Sequence, residues 1–392
     1  MKTLKVIRNL LIGVLTLFIL LFALVVLAAG PDTALRMAYY NVTDIDDYKL
    51  FPARELSAGG ASFHFEQSAD PWRVPASIKG VSLDQLLENP RTAAFLIIKD
   101  DAILYERYFD GYDESTPIQV FSVAKSLFSI LVGRAVEDGY FNVDQLVTDF
   151  VPELAANGFD RVTIEHLLQM ASGSNYRQTG FDELSPFSLH PRFEYSPRLE
   201  KEITTTLEVI DEPGTEFIYK SGDTALLSLV LTRALKDKSI TEYMQEAIWT
   251  PLGMEYDGIY TIDHTGDDAL EKTWCCLALT ARDLAKFGRL MLEDGNWNGT
   301  QIIPSAWVEK STHVDSNDTR DFGEFGSIPG FRGYQYQWWL ASQDEAYYGN
   351  GHLGQFLYVN PVERVIIVRL GRVGNDPLDW LGLFEMLAKD VE

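Results

Sequence analysis

The chain has 392 residues, 46% of them hydrophobic, which is ample for a sizeable core in one large or two small domains and too apolar for a disordered protein. Its formal charge of -24, with a pI near 4.6, repels phosphate backbones. With no basic patch in the sequence to offset that charge, nucleic acid is excluded as a partner.

Lys2, Lys5 and Arg8 precede a run from Leu10 to Ala29 that carries no charge. As a helix that run spans roughly 30 Å, the thickness of a bilayer core. The expected organisation is a basic cytoplasmic N-terminus over residues 1–9 and a transmembrane anchor over 10–29. A cleaved signal sequence is the alternative, since Val26-Leu27-Ala28 is a passable cleavage pattern, but its apolar region is normally only about 7–15 residues long. Basic residues before the run and Asp32, Asp44, Asp46 and Asp47 after it orient the N-terminus toward the cytoplasm. Either way the bulk of the chain is expected on the exported side, periplasmic or extracellular, attached to the membrane through the helix or released after cleavage. Residues 30–75, including the irregular YYNVTDIDDYKLFPARELSAGG, read as a juxtamembrane lead-in, and 76–392 as one domain without repeats.

TAAFLIIKDDAILYERYF (92–109) is two β-rich runs around Asp100-Asp101, a hairpin signal. From Ser122 to Gly139 the apolar residues Val123, Leu127, Ile130, Leu131 and Ala135 follow a helical spacing that ends at a glycine stop. Between about 145 and 310 the chain reads as mostly helical, in TIEHLLQM, YKSGDTALLSLVLTRALKD, ITEYMQEAIW and TARDLAKFGRLMLEDG. GHLGQFLYVNPVERVIIVRLG then reads as two strands and DPLDWLGLFEMLAKDVE as a closing helix. The order predicts an α+β fold: an antiparallel sheet assembled from both ends of the chain, flanked by helices, with a mostly helical insert.

The chemistry is expected at the start of the second element. A serine hydroxyl is a weak nucleophile until a base takes its proton. Lys125, one turn after Ser122, lies on the same helix face, and burial of its amine would lower its pKa enough for it to accept a proton. S-x-x-K alone is also what a lysine snorkelling from a surface helix would give. Two later segments, Tyr219-Lys220-Ser221 ahead of a helix and His352-Leu353-Gly354 at the head of a strand, complete a set of three motifs.

In that order the three motifs resemble the serine beta-lactamase and penicillin-recognising family, in particular its class C-like branch with DD-peptidases, esterases and 6-aminohexanoate-dimer hydrolases. QVFSVAKSLFS, LLQMASG, YKSGDTALLS, IWTPLGM, LALTARDLAKFGRLMLEDGNWNGTQIIPSAWVEKS and GHLGQFLYVNP extend the resemblance over about residues 76–390. It implies a beta-lactamase/transpeptidase-like fold and an acyl enzyme formed on Ser122. Lys125 and Tyr219 would share the base and acid roles, the backbone N–H groups of Ser122 and Gln355 would form the oxyanion hole, and Ser221, His352 and Gly354 would line the substrate site. Tyr176 resembles a cleft-lining position of the aminohexanoate hydrolases, with a plain loop aromatic as the equal alternative. His352-Leu353 stands where typical lactamases have Lys-Thr, and Ser221 replaces the common Asn, so a small amide or ester is the expected substrate rather than a penicillin. The competing expectation is a sensor or binding module that is acylated without turnover.

Cys275 and Cys276 are adjacent, and neighbours in one strand or helix point different ways, so two small buried apolar residues are expected rather than a disulfide or a reactive thiol. Trp338 and Trp339 are expected in the core, with a pocket floor as the alternative. His64, His166, His190, His264 and His313 show no H-x-x-x-H or H-E-x-x-H spacing, so no metal site and no cofactor are expected. Neither a G-x-S-x-G elbow nor a phosphate-binding loop is present.

Overall fold

A computed structural model describes the whole chain apart from residues 1, 41–42, 69–80, 89–90, 181, 183–184, 329, 342–344, 375–377 and 392. The expected domain start at residue 76 lies outside the described residues. The main sheet has eight strands, ordered in space as Phe331–Gln335, Trp338–Ala341, Tyr347–Gly351, Gln355–Asn360, Val365–Gly371, Thr92–Lys99, Ala102–Tyr108 and Glu66–Gln67. All neighbours are antiparallel except the short outermost pair. Thr92–Lys99 lies against Val365–Gly371, so the sheet is built from both ends of the chain, as expected. The hairpin turn falls on Asp100 and Asp101, whose φ values of 47° and 64° are the left-handed pair that a two-residue turn between twisted strands requires.

Side chains alternate across the central strand. Leu96 and Ile98 face the larger core, beneath the Val123–Glu137 helix, while Phe95 and Ile97 face the closing helix Trp380–Asp390. The Val123–Glu137 helix is apolar on nearly all sides, which is the pattern of a helix enclosed by protein. Lys125 is therefore carried into the centre of the molecule.

Between the two halves of the main sheet lies the insert, whose longest helix is Ser221–Leu235; Ala281–Leu292 returns to pack on Gln355–Asn360 and Val365–Gly371. Two expectations are corrected here. The middle of the chain also supplies strands Gly258–Thr261 and Leu277–Leu279 to a second, four-stranded sheet with Ala53–Leu56 and Ile118–Gln119. The helix expected over ITEYMQEAIW is a single turn, Ile240–Met244, continued by a wider π-type turn over Gln245–Trp249. Residues 45–67 are joined to the folded body, since Ala53–Leu56 pairs with Gly258–Thr261 and the Gln119 N–H donates to the Ile45 carbonyl at 3.1 Å. The N-terminal helix Lys2–Ala29 is long and apolar enough to cross a membrane, and Pro31–Tyr39 forms a second helix after Gly30.

Candidate active site

Ser122 is positioned by a tight entry into its helix. Phe121 has φ 47°, a conformation that a bulky residue holds only where its surroundings enforce it. The chain turns at once into helix, the Val123 and Ala124 N–H groups donating to the carbonyls of Val120 and Phe121 at 3.2 and 2.9 Å. Gly351 allows the neighbouring strand to approach this turn, because a Cβ there would stand 2.4 Å from the Val120 carbonyl oxygen. The Ser122 hydroxyl makes no capping bond to its own helix and accepts instead from Lys125 Nζ at 3.0 Å.

Lys125 is only 1% exposed, and its Nζ also donates to the Trp274 carbonyl at 2.7 Å. Burial drives its pKa down to about 7, with Glu194 partly opposing. Near neutral pH a large fraction of this amine is uncharged and able to accept a proton. The Tyr219 ring centroid lies 5.2 Å from the same Nζ and 5.2 Å from that of Trp339. Desolvation pushes the Tyr219 phenol up to about 12, its hydrogen bond to Ser122 pulling the other way, so the phenol keeps its proton. Trp338 lies in the core and Trp339 backs Tyr219.

The Tyr219-Lys220-Ser221 turn is fixed by buried charge. Asp223 accepts from the hydroxyls of Ser172 and Ser174 at 2.5 and 3.4 Å, its carboxyl raised by burial and drawn back by Lys220. Ser221 opens the Ser221–Leu235 helix, and its N–H donates to Gln178 Oε1. Ser122, Ser221 and His352 share the wall of one cleft of about 480 Å³. The exposed His352 ring sits edge-on to Phe121, 5.6 Å between centroids.

Five expected positions fall outside the cleft lining: Lys125, buried behind Ser122, Tyr219 beside it, and Gly354, Gln355 and Tyr176. Gly354, with φ 83°, shapes the turn behind it: its carbonyl accepts from Arg369 Nη1 at 2.6 Å, and a Cβ would meet that atom. The buried Gln355 side chain donates to the His352 and Gly371 carbonyls at 3.2 and 2.8 Å, bracing the same turn. Tyr176 is corrected from cleft wall to core. It is fully buried, its hydroxyl is 2.9 Å from His190 Nδ1, and its ring covers Gly222, where a Cβ would approach it to 2.6 Å. His190 reaches the cleft in its stead.

The cysteine expectation is also corrected, since Cys275 and Cys276 are joined by a disulfide in the cleft wall. Neighbours diverge in strand or helix, but here both N–H groups donate to the Lys272 carbonyl, and that turn brings the two side chains together. Glu194 stands beside the sulfurs, the three potential ligand atoms lying within 4.8 Å of one another, but the sulfurs are bonded to each other. Glu194 and Lys272 escaped the sequence reading. Burial drives Lys272 down to about 8, its ammonium donates to the Glu194 backbone carbonyl, and the Glu194 carboxylate accepts from the Trp274 indole. Lys272 carried the signal that marked Lys125, a lysine in a mostly apolar run, LEKTWCCLAL.

Residues 83–375 match the Beta-lactamase family. A 6-aminohexanoate-dimer hydrolase from Paenarthrobacter ureafaciens is 30% identical over 319 residues, 79% of this chain and 80% of its own. Among solved structures, a Bacillus anthracis protein described as a 6-aminohexanoate-dimer hydrolase superposes with a TM-score of 0.70 at 24% identity, covering 92% of this chain and 93% of its own. A penicillin-binding protein from Bacillus halodurans reaches 0.58 at 18% identity, over 76% of this chain and 97% of its own, and shares the fold alone. The chain thus belongs to the beta-lactamase family, and within it to the beta-lactamase-related hydrolases.

Proposed function

We propose that the protein is a membrane-anchored, exported serine hydrolase that cleaves an ester or a small linear amide through an acyl enzyme on Ser122. The observation that carries this reading is the 3.0 Å hydrogen bond between the Ser122 hydroxyl and an amine held near pKa 7. Neutral Lys125 takes the Ser122 proton as Oγ attacks the acyl carbon, while the Trp274 carbonyl holds the amine in line. Tyr219, whose phenol holds its proton at rest, hands it to the leaving group and is reprotonated by Lys125. The backbone N–H groups of Ser122 and Gln355 stabilise the tetrahedral oxyanion, and water then releases the acyl group. The Paenarthrobacter relative, a 6-aminohexanoate-dimer hydrolase, supports a small amide as one substrate. The Lys2–Ala29 helix holds the enzyme in the membrane with its catalytic body on the exported side.

Labelling with a fluorophosphonate probe and mapping the modified peptide tests the reading. The expected label sits on Ser122, is absent from Ser122→Ala, and is accompanied by ester turnover. A label on Cys275 or Cys276, or labelling undiminished in Ser122→Ala, would falsify the assignment. A stable acyl adduct from an ester substrate, without turnover, would identify a sensor.

A further inference from the structure

The residues that follow the apolar helix divide between two faces. In Pro31–Tyr39, Thr33 and Ala34 are buried against the body and Met37 lines the Ser122 cleft. Leu35 and Tyr39, four residues apart and so on one helix face, are 59% and 80% exposed. From Tyr39 a chain of rings leads inward: Tyr39 to Tyr40 at 4.8 Å, Tyr40 to Phe51 at 4.9 Å, Phe51 to Tyr195 at 6.4 Å between centroids. Phe51 and Tyr195 are themselves walls of the cleft, and Leu50 beside them is 50% exposed. The helix Leu189–Tyr195 reaches both places. His190, Glu194 and Tyr195 line the cleft, while Arg192 and the adjoining Ser196 and Arg198 line a recess closed by residues 28–33 at the end of the apolar helix. Met37 is eight residues past Ala29, and Gly30, with φ 85°, breaks the helix between them.

We propose that the cleft opens at the bilayer surface and that its substrate is membrane-resident, a long-chain acyl ester whose carbonyl reaches Ser122 while its chain stays among the lipids. This rests on the hydrolase and anchor readings above. The bilayer is the occupant of the apolar rim because Leu35 and Tyr39 follow the end of the apolar helix at Ala29 by only six and ten residues, across the break at Gly30. Leu35 and Leu50 enter the interface with Tyr39, an aromatic of the kind that settles at headgroup level. In the reaction the bond from Ser122 Oγ to the acyl carbon forms and the acyl carbon–oxygen bond of the ester breaks. The Ser122 proton passes through Lys125 and Tyr219 to the departing alcohol, and water then releases the fatty acid and restores the hydroxyl. A freely soluble substrate has no need of this placement.

The test uses the full-length protein reconstituted in phosphatidylcholine vesicles, with soluble p-nitrophenyl butyrate and a fluorogenic oleoyl ester. The oleoyl ester placed in the enzyme's own bilayer should turn over at least tenfold faster than the same ester supplied in separate vesicles. Leu35→Glu, on the outward face, should lower the oleoyl rate several-fold and leave the butyrate rate within twofold of wild type. Equal oleoyl rates from the two vesicle arrangements, with butyrate still hydrolysed, overturn the inference and leave the hydrolase reading standing. Loss of butyrate turnover together with fluorophosphonate labelling overturns the hydrolase reading itself, and escape of the protein from washed vesicles overturns the anchor.

Discussion

Burying an amine at Lys125 works against the fold. Its pKa falls from an unfolded value near 10.5 to about 7, so between those values the unfolded chain binds more protons than the native one. The penalty is full below pH 7, shrinks as pH rises and vanishes above 10.5, each tenfold of lost proton affinity costing about 1.4 kcal/mol. Lys125→Met, similar in shape and uncharged, should therefore melt at or above the wild-type temperature at pH 6.5 while kcat falls by several orders of magnitude. With wild type, kcat/KM for a neutral ester should rise with pH through about 7, because only the free amine accepts the proton. A flat profile would remove Lys125 from the role of base. His352 makes the second residue-scale prediction, since this imidazole of the cleft wall stands, by the resemblance of its motif, where lactamases carry a lysine. A chromogenic cephalosporin should turn over at least a hundredfold more slowly than p-nitrophenyl butyrate, and His352→Lys should narrow the gap. Ser122, Lys125 and Tyr219 were legible because a lysine in an apolar run and three ordered motifs are local signals. Tyr176 was not, since nothing local says that Gly222 leaves room for its ring to turn inward.

At the scale of elements, the turn from Lys272 to Cys276 does for Lys125 what the helix does for Ser122. It presents the Trp274 carbonyl to Nζ at 2.7 Å, is closed by two N–H bonds to the Lys272 carbonyl, and is locked by the Cys275–Cys276 disulfide. Hydrogen bonds to groups that carry charge contribute about 1.5–3 kcal/mol, so loosening this carbonyl should lower kcat/KM roughly tenfold. Phosphine reduction should release two thiols and produce that loss without abolishing the fluorophosphonate label, and a Cys275→Ala, Cys276→Ala double variant should be insensitive to the reductant. Unchanged kinetics after the thiols appear would leave the bridge a purely structural clasp. The Asp100-Asp101 hairpin could be read in advance because period and turn chemistry are written locally, and the sheet shared by both chain ends because its strands are long β-rich runs whose order sets the architecture. The second sheet could not, since Ala53–Leu56, Ile118–Gln119, Gly258–Thr261 and Leu277–Leu279 are strands of two to four residues, too short to show a period.

For the whole molecule, the proposed anchor and the net charge act together. An apolar helix is held by burial and not by charge, so the full-length protein should stay in the membrane fraction through a high-salt wash. The formal charge of -24 surrounds the cleft with a field that falls off over about 8 Å at physiological ionic strength. At low salt that field draws cationic substrates toward the body and slows anionic ones, an effect on encounter and therefore on kcat/KM rather than on kcat. Three short esters of matched leaving group, one cationic, one neutral and one anionic, separate this long-range influence from contacts inside the cleft. As salt is raised from low to physiological strength, kcat/KM should fall several-fold for the cationic ester, rise for the anionic one and stay level for the neutral one. The same ordering persisting unchanged at high salt would assign the preference to charges within the cleft, such as Glu194 and Lys272, instead of to the molecule's overall field.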